Sequence, residues 1–284
     1  MAWLYHAEPP SGILGLGLSW AAAHDATQLQ LIVDDPDLAG GLASAAQHFE
    51  SPRSSVFVAH ERSLTLAVPV APVIEPPPSC PDLAAELAQA GLEVVADHGV
   101  WIGEFNGLEV ARVGSRDGSC SIDIGVGAYD QFASASINPD RPIDQAIAHV
   151  VGMVRPHRTA GSAPHPIGRL VRARWLRAQA VRDPELLGLD RLDPIPLTSP
   201  RPGLSESQPA AALGTRGDRT VLIVFTVGVD LAAPQTAAEL AGLHKPDEVI
   251  VVAPTRDQHP RIEESLSALA LPATLVALDG EWSD

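Results

Sequence analysis

The sequence predicts an α/β protein with an α+β part: an antiparallel meander in the middle of the chain and a C-terminal βαβαβ parallel sheet covered by helices. Two observations carry this prediction. After residue 219, unbroken apolar runs alternate with amphipathic helical patterns, which is typical of a parallel sheet covered on both faces. In the middle of the chain, short alternating runs are separated by turn signals such as Asn106-Gly107, which indicate antiparallel hairpins.

Proline-rich stretches divide the chain, because proline restricts its own backbone and that of the preceding residue. They predict an N-terminal α/β segment, a Pro-rich linker, an α+β block, an Arg-rich helical segment, a second Pro-rich linker and a C-terminal βαβαβ unit. In that order, the predicted boundaries are 1–68, 69–81, 82–155, 156–192, 193–218 and 219–284.

In the N-terminal segment, strands are predicted at 29–33, 55–58 and 64–68 and a helix at 37–49. Residues 3–5 and 13–20 are apolar and are interpreted as further strands. In the α+β block, the pattern predicts a helix at 81–90, strands at 92–95, 100–105, 108–113 and 120–126, and a helix at 142–154.

An arginine-rich helix is predicted at 167–181. The C-terminal unit reads as strands at 221–227, 249–253 and 274–278, with helices at 234–243 and 260–270. Its order, strand, helix and strand, also occurs in the N-terminal segment, which is a weak internal similarity.

Composition limits the partners. The chain has 284 residues and a formal net charge of −16, which disfavours broad binding to nucleic acid or anionic membranes. No stretch reaches the length of a membrane-spanning helix. Cys80 and Cys120 show no CxxC spacing, so they are predicted to be unpaired packing residues of a cytoplasmic protein.

The hairpin around Asn106-Gly107 contains the first candidate site. Counting outward from a two-residue turn places Glu104 opposite Glu109, and like charges facing each other across strands are destabilising. Alternation in the next strand adds Asp123 to the same face. Three carboxylates could bind Mg²⁺ or Mn²⁺; the alternatives are pairing with arginine or simple solvation.

The order helix, three strands and helix, with acids on successive strands, resembles that of restriction-endonuclease-like nucleases. The resemblance covers fewer than about eighty residues and implies a metal-dependent nuclease whose second acid stands two residues before a lysine. Here the matching positions read Asp123-Ile124-Gly125, so the lysine is missing.

The second candidate site is the one basic stretch of an acidic chain. Seven arginines and no acid lie between Arg155 and Arg182. Arg174 falls inside the apolar arc of the predicted helix, and a buried arginine normally has a carboxylate partner. Arg172 and Arg174 are candidates for binding an anion or, through residues 155–182 alone, nucleic acid. The alternative is a helix that docks onto acidic surface of the same chain.

The third candidate site is the carboxyl edge of the C-terminal sheet, because ligands of open parallel sheets bind there. Asp230, Arg256 and Asp257 follow the first two strands. Capping of the following helices explains the same residue types.

The sequence leaves two functions open. The first is a binding or regulatory protein without catalysis, for a small polar ligand or a protein partner, which the lack of a complete catalytic motif favours. The alternative is a Mg²⁺- or Mn²⁺-dependent phosphodiester hydrolase that uses Glu104, Glu109 and Asp123. Apart from those two metals, the sequence predicts no cofactor, and it does not decide whether the protein is an enzyme.

Overall fold

The computed structural model describes residues 1–116, 118–127, 142–201, 203–204 and 206–282. It is a mixed α/β protein with three sheets. The chain forms two compact units: unit 1 contains residues 1–73 and 213–278, and unit 2 contains residues 74–212 and 279–284. The fold class predicted from the sequence is thus confirmed in its coarse form.

The described strands, in chain order, are β1 (Ala2–His6), β2 (Gln28–Val33), β3 (Arg53–His60), β4 (Ser63–Leu66), β5 (Glu93–Asp97), β6 (Val100–Phe105), β7 (Leu108–Arg116), β8 (Ser119–Ile124), β9 (Arg191–Ile195), β10 (Ala210–Arg216), β11 (Arg219–Phe225), β12 (Glu248–Ala253) and β13 (Ala273–Ala277). The described α-helices are α1 (Ile13–Ala23), α2 (Pro36–Ala46), α3 (Pro81–Gln89), α4 (Ile143–Val154), α5 (Pro166–Arg169), α6 (Arg172–Arg182), α7 (Ala233–His244) and α8 (Pro260–Ser267). Within the described part of the chain, no helix is both long and apolar enough to cross a membrane.

The first sheet of unit 1, the N-terminal sheet, has the order β1-β2-β3-β4. Its first three strands are parallel, and β4 returns antiparallel to β3. The interpretation of residues 13–20 as strand was wrong, because α1 occupies them. A short apolar run is compatible with a strand and with a buried helix. Here α1 packs against β2 and against the helices α7 and α8. A side chain at Gly15 would lie 2.3 Å from the Leu231 carbonyl oxygen, so only glycine allows this close approach.

The second sheet places β13, β12, β11 and β10 side by side in that order. β11, β12 and β13 are parallel, and α7 and α8 connect them, which confirms the predicted alternation of strands and helices. β10 precedes β11 by a two-residue turn, and such a turn joins antiparallel neighbours. This strand occupies the end of the stretch 193–218, which the sequence predicted to be an extended linker.

The two halves of unit 1 share the order strand, helix, strand, helix, strand. They pack through their helices, with α1 against α8 and α2 against α7. At the end of the second helix in each half, Phe49 and Leu269 form an antiparallel bridge. The weak similarity in the sequence therefore corresponds to matching halves. Because the helices cover one face of the N-terminal sheet, its side chains on the opposite face point outward.

Unit 2 is built on the antiparallel meander β5-β6-β7-β8. Leu87 of α3 and Ile147 and Val150 of α4 pack with Leu108 and Val113 in one apolar core. The turn between β7 and β8 includes Asp117, which lies outside the described residues. The predicted helix 167–181 is interrupted at Val171, whose φ is 40°, so α5 and α6 are separate.

The cysteine prediction was wrong, because Cys80 and Cys120 form a disulfide with a Cα–Cα distance of 6.1 Å. The two residues are 40 positions apart, and sequence spacing alone does not show that the start of α3 and the start of β8 meet. Disulfides persist in oxidising environments and are rare in the cytosol, so the cysteines do not support the cytoplasmic location that was inferred from them.

We expect the free energy of unfolding of the double variant Cys80→Ser/Cys120→Ser to be about 3 kcal/mol lower than that of the wild type, because the cross-link restricts the unfolded chain. Urea denaturation with and without reductant measures this loss, and reduction should affect only the wild type. Two alkylatable cysteines in the denatured, unreduced protein would contradict the expectation.

Candidate functional site

The hairpin between β6 and β7 forms as predicted and places Glu104 directly opposite Glu109. Its turn residues have positive φ, 47° at Asn106 and 74° at Gly107, as a type I′ turn requires. Asp123 pairs with Arg112 of β7, and Arg112 pairs with Ile102 of β6. Ile102 stands two residues before Glu104, so Asp123 shares the face of Glu104. The predicted placement of the three carboxylates on one face of the meander is therefore observed.

The three carboxylates differ in burial. Glu104 is 1% exposed and Glu109 is 5% exposed, whereas Asp123 is exposed to solvent. Among the described residues, no group of three or more His, Cys, Asp or Glu side chains could hold a metal ion. Metal-dependent hydrolysis at these residues stays a prediction of the sequence, and this geometry adds no support to it.

Two arginines of unit 2 neutralise Glu104. Arg177 of α6 and Arg201 both donate to its carboxylate. Arg177 also lies 3.1 Å from Glu93, and Arg201 also pairs with Asp97. The result is a buried chain of alternating charges, which we call the Glu104 network. Pairing with arginine, one of the alternatives that the sequence left open, is thus what the structure shows for Glu104.

The pKa of Glu104 reflects two opposed effects. Burial by itself raises the pKa of this carboxyl, but the positive charges of Arg177, Arg201 and Arg174 outweigh burial and hold it below its ordinary value. The pKa of Glu93 is raised, chiefly by burial, which the attraction of Arg177 does not overcome. Glu104 is therefore the ionised centre of the network.

Glu109 has its own arginine. Arg112 of the same strand donates from Nε at 2.8 Å and from Nη2 at 3.1 Å to the two carboxylate oxygens, the bidentate geometry that makes such pairs strong. The pKa of Arg112 is raised, first by this hydrogen bond. The two facing glutamates thus avoid repulsion because each has a separate cation.

Arg174 and Arg172, the two predicted anion-binding arginines, lie in different environments. Arg174 is 4% exposed, and it donates to the Gln208 side-chain oxygen at 3.5 Å. Burial lowers the pKa of Arg174 to about 10. Arg172 lies 5.1 Å above the Trp282 ring and donates to the Gly168 carbonyl oxygen at 3.4 Å.

The third candidate site, at the carboxyl edge of the C-terminal sheet, is internally hydrogen-bonded. Asp230 accepts from the Ala232 backbone at 2.9 Å and from Thr226 Oγ1 at 3.2 Å. Asp257 accepts from the Gly228 backbone at 2.8 Å. Arg256 Nε lies 3.7 Å from Asp257 Oδ1. The structure therefore brings the three predicted residues into one loop cluster, where both carboxylates bind backbone N–H groups.

The carboxyl edge of the N-terminal sheet forms an open cleft of about 560 Å³, which we call the N-terminal cleft. Asp34 follows β2, and His60 is the last residue of β3. Glu61 begins the turn into β4 with a φ of 51°. Ile32, Ala59 and Leu64 supply the apolar part of its lining. The lining consists of Tyr5, Ile32, Asp34, Ala59, His60, Glu61 and Leu64.

An apolar row crosses the open face beside this cleft. Strand register places Tyr5, Ile32, Phe57 and Leu66 side by side on four neighbouring strands. Tyr5 is 57% exposed and Leu66 is 61% exposed, so the row faces solvent. Exposed apolar patches of this kind mark binding surfaces.

The Tyr5 hydroxyl donates to Asp34 Oδ2 at 3.2 Å. This hydrogen bond is the first reason that the pKa of Tyr5 is raised, because ionising the phenol would lose the bond and add a second negative charge. Tyr5 therefore stays neutral throughout the physiological range and orients the Asp34 carboxylate at the mouth of the cleft.

The sequence analysis missed the N-terminal cleft, although the signal was present. The rule that directed attention to Asp230 and Asp257 applies equally to Asp34 and His60, which stand at the ends of parallel strands. Arg201 was missed because it lies in a stretch interpreted as a linker.

Comparison of the chain with protein-family models, with curated proteins and with solved structures found no match.

Proposed function

We propose that this protein binds a small polar ligand that carries positive charge, and that the N-terminal cleft is its site. The observation that carries the proposal is the cleft itself, whose volume of about 560 Å³ lies within the usual range for small-molecule sites. It lies at the carboxyl edge of a parallel sheet, where such sites occur.

The lining supports a cationic ligand. Asp34 and Glu61 supply two carboxylates, and the described lining contains no lysine or arginine. The ring of Tyr5 adds a π-face that attracts cations. Ile32 and Leu64 offer contact to the apolar part of a ligand. The net charge of −16 favours the approach of cations over anions.

The apolar row supports a protein partner that covers the same face. Trp3, at 54% exposure, enlarges the exposed surface beside Tyr5. A ligand in the cleft would lie at the end of this row, so occupancy of the cleft would change the surface offered to such a partner. Ligand binding in the cleft would in this way regulate binding of the partner.

Calorimetric titration at pH 7 with cadaverine, 1,5-pentanediol and glutarate tests the proposal, because these probes share a five-carbon chain and differ in charge. We expect saturable binding of cadaverine alone. The variant Glu61→Gln should weaken it about tenfold, since a charge-assisted hydrogen bond is lost.

The matched control is Glu50→Gln, which removes the same charge from an exposed residue of unit 1 that does not line the cleft. It should bind cadaverine like the wild type. Equal loss in both variants would indicate general charge attraction, and equal binding of cadaverine and 1,5-pentanediol would remove the charge argument altogether.

A further inference from the structure

Unit 2 contains a cavity that is lined by arginines, whereas the N-terminal cleft is lined by carboxylates. We call it the tryptophan cavity. Trp175 and Trp282 form its aromatic part, with ring centroids 5.6 Å apart. Its polar side chains are those of His157, Ser162, His165, Arg169 and Arg172. No carboxylate belongs to its described lining. In a chain with a net charge of −16, such a concentration of donors and positive charge requires a reason.

Trp175 supplies the first part of the argument. Its side chain is fully buried at 0% exposure, yet its indole N–H has no hydrogen-bond partner in the described structure. A buried donor without a partner costs about 1–3 kcal/mol, and native proteins rarely leave one. An acceptor atom in the cavity that Trp175 lines would remove this cost.

The arginines supply the second part. Arg169 is exposed at the mouth of the cavity, and the described residues show no ion pair for it. Arg172 is held over the Trp282 ring at 5.1 Å, and its Nε donates to the Gly168 carbonyl oxygen at 3.4 Å. Guanidinium groups of this kind recognise phosphate and carboxylate oxygens.

The histidines complete the donor set. The rings of His157 and His165 stack at 3.6 Å with an interplanar angle of 12°. Nδ1 of His165 accepts the Ile167 backbone N–H at 3.2 Å, so the proton of a neutral His165 ring sits on Nε2. The His165 ring can therefore act as a donor.

We infer that the tryptophan cavity is a binding site for a small oxyanion, with the phosphate group as the chemistry that fits best. The space enclosed is about 10 Å³, enough for the centre of one oxygen-sized atom, so a single phosphate oxygen enters and the rest of the group remains at the arginines. The tryptophan cavity belongs to unit 2 and shares no described lining residue with the N-terminal cleft of unit 1.

The test compares potassium phosphate with potassium chloride at equal ionic strength and pH 7, using calorimetry and thermal melting of the full chain. We expect saturable phosphate binding and a higher melting temperature, because a ligand that binds only the folded state stabilises it. Absence of saturation, or an equal shift in chloride, would overturn the inference.

Two variants locate the site. Arg169→Gln should weaken phosphate binding about tenfold, whereas Arg155→Gln should leave it unchanged. Arg155 is the matched control because it is also exposed, lies 5.1 Å over the Phe105 ring and does not line the cavity. Equal weakening in both would show general charge attraction and reject the site.

Trp175→Phe removes the indole N–H together with the five-membered part of the ring, so it leaves a cavity in the core and should lower the melting temperature in both salts. The shift between chloride and phosphate is therefore compared within this variant, and that shift should largely disappear. If Trp175→Phe responds to phosphate like the wild type, the indole does not bind the anion and the inference fails.

Discussion

Glu104→Gln is expected to lower the free energy of unfolding by about 4 kcal/mol, the range found when one partner of a buried ion pair is removed. Glu104 is 1% exposed and receives hydrogen bonds from Arg177 and Arg201. Glutamine keeps the shape but not the charge, so two buried guanidinium groups lose their shared anion. Urea denaturation at pH 7 measures the difference.

The pH dependence of this difference has a defined sign. Burial raises the pKa of Glu104, but Arg177, Arg201 and Arg174 lower it further and leave it below its ordinary value. A carboxyl whose pKa is lower in the folded state contributes stability above the pKa of the unfolded chain and loses that contribution as the pH falls through the folded pKa. The difference in unfolding free energy between wild type and Glu104→Gln should therefore stay constant above about pH 5 and become smaller below about pH 4.

Asp123→Asn is the matched control, because Asp123 lies on the same face of the meander but is exposed. Its loss should change the unfolding free energy by less than about 0.5 kcal/mol. If Glu104→Gln behaves like Asp123→Asn, the pairs of Arg177 with Glu93 and of Arg201 with Asp97 neutralise the arginines without Glu104. The Glu104 carboxylate is then not a source of stability.

Local sequence patterns were sufficient for elements whose period and turn signals agree. The hairpin at Asn106-Gly107 and the parallel strands β11 and β12 were predicted closely, because alternation, apolar runs and turn chemistry indicate the same structure in each case. The helix α1 was not predictable in this way. Its residues are nearly all apolar, and its long-range contacts, such as the close approach of Gly15 to Leu231, cannot be read from its own periodicity.

The candidate sites show the same division between local and long-range information. Register placed Glu104 opposite Glu109, which is a local property of a two-residue turn. The arginines that neutralise Glu104 lie 73 and 97 positions away, and no period or spacing connects them to the hairpin. Helical periodicity selected Arg174 as the buried arginine, and Arg174 is buried, but the ion pair to Glu104 is made by Arg177, about one turn further along α6.

Arg158→Met is expected to destabilise unit 2 by about 4 kcal/mol, because the methionine cannot replace the hydrogen bonds of a fully buried guanidinium. Arg158 is 0% exposed and donates to the carbonyl oxygens of Asn106, Ile167, Leu170 and Val171 at 2.9, 3.1, 2.8 and 3.4 Å. In return, the Asn106 side chain donates to the Arg158 carbonyl oxygen at 2.6 Å. This one residue thus ties the hairpin turn to the break between α5 and α6.

Burial lowers the pKa of Arg158 to about 9, so the side chain remains charged at pH 7 and its charge is stabilised by carbonyl dipoles and by the Trp175 ring at 4.8 Å. Arg158→Lys keeps a positive charge but offers no planar fork of donors, so it should recover less than half of the loss. Arg155→Met, at an exposed arginine three positions earlier, should change the unfolding free energy by less than about 0.5 kcal/mol. If Arg158→Lys restores wild-type stability, charge alone suffices there, and the hairpin turn is held by something other than the directed hydrogen bonds of Arg158.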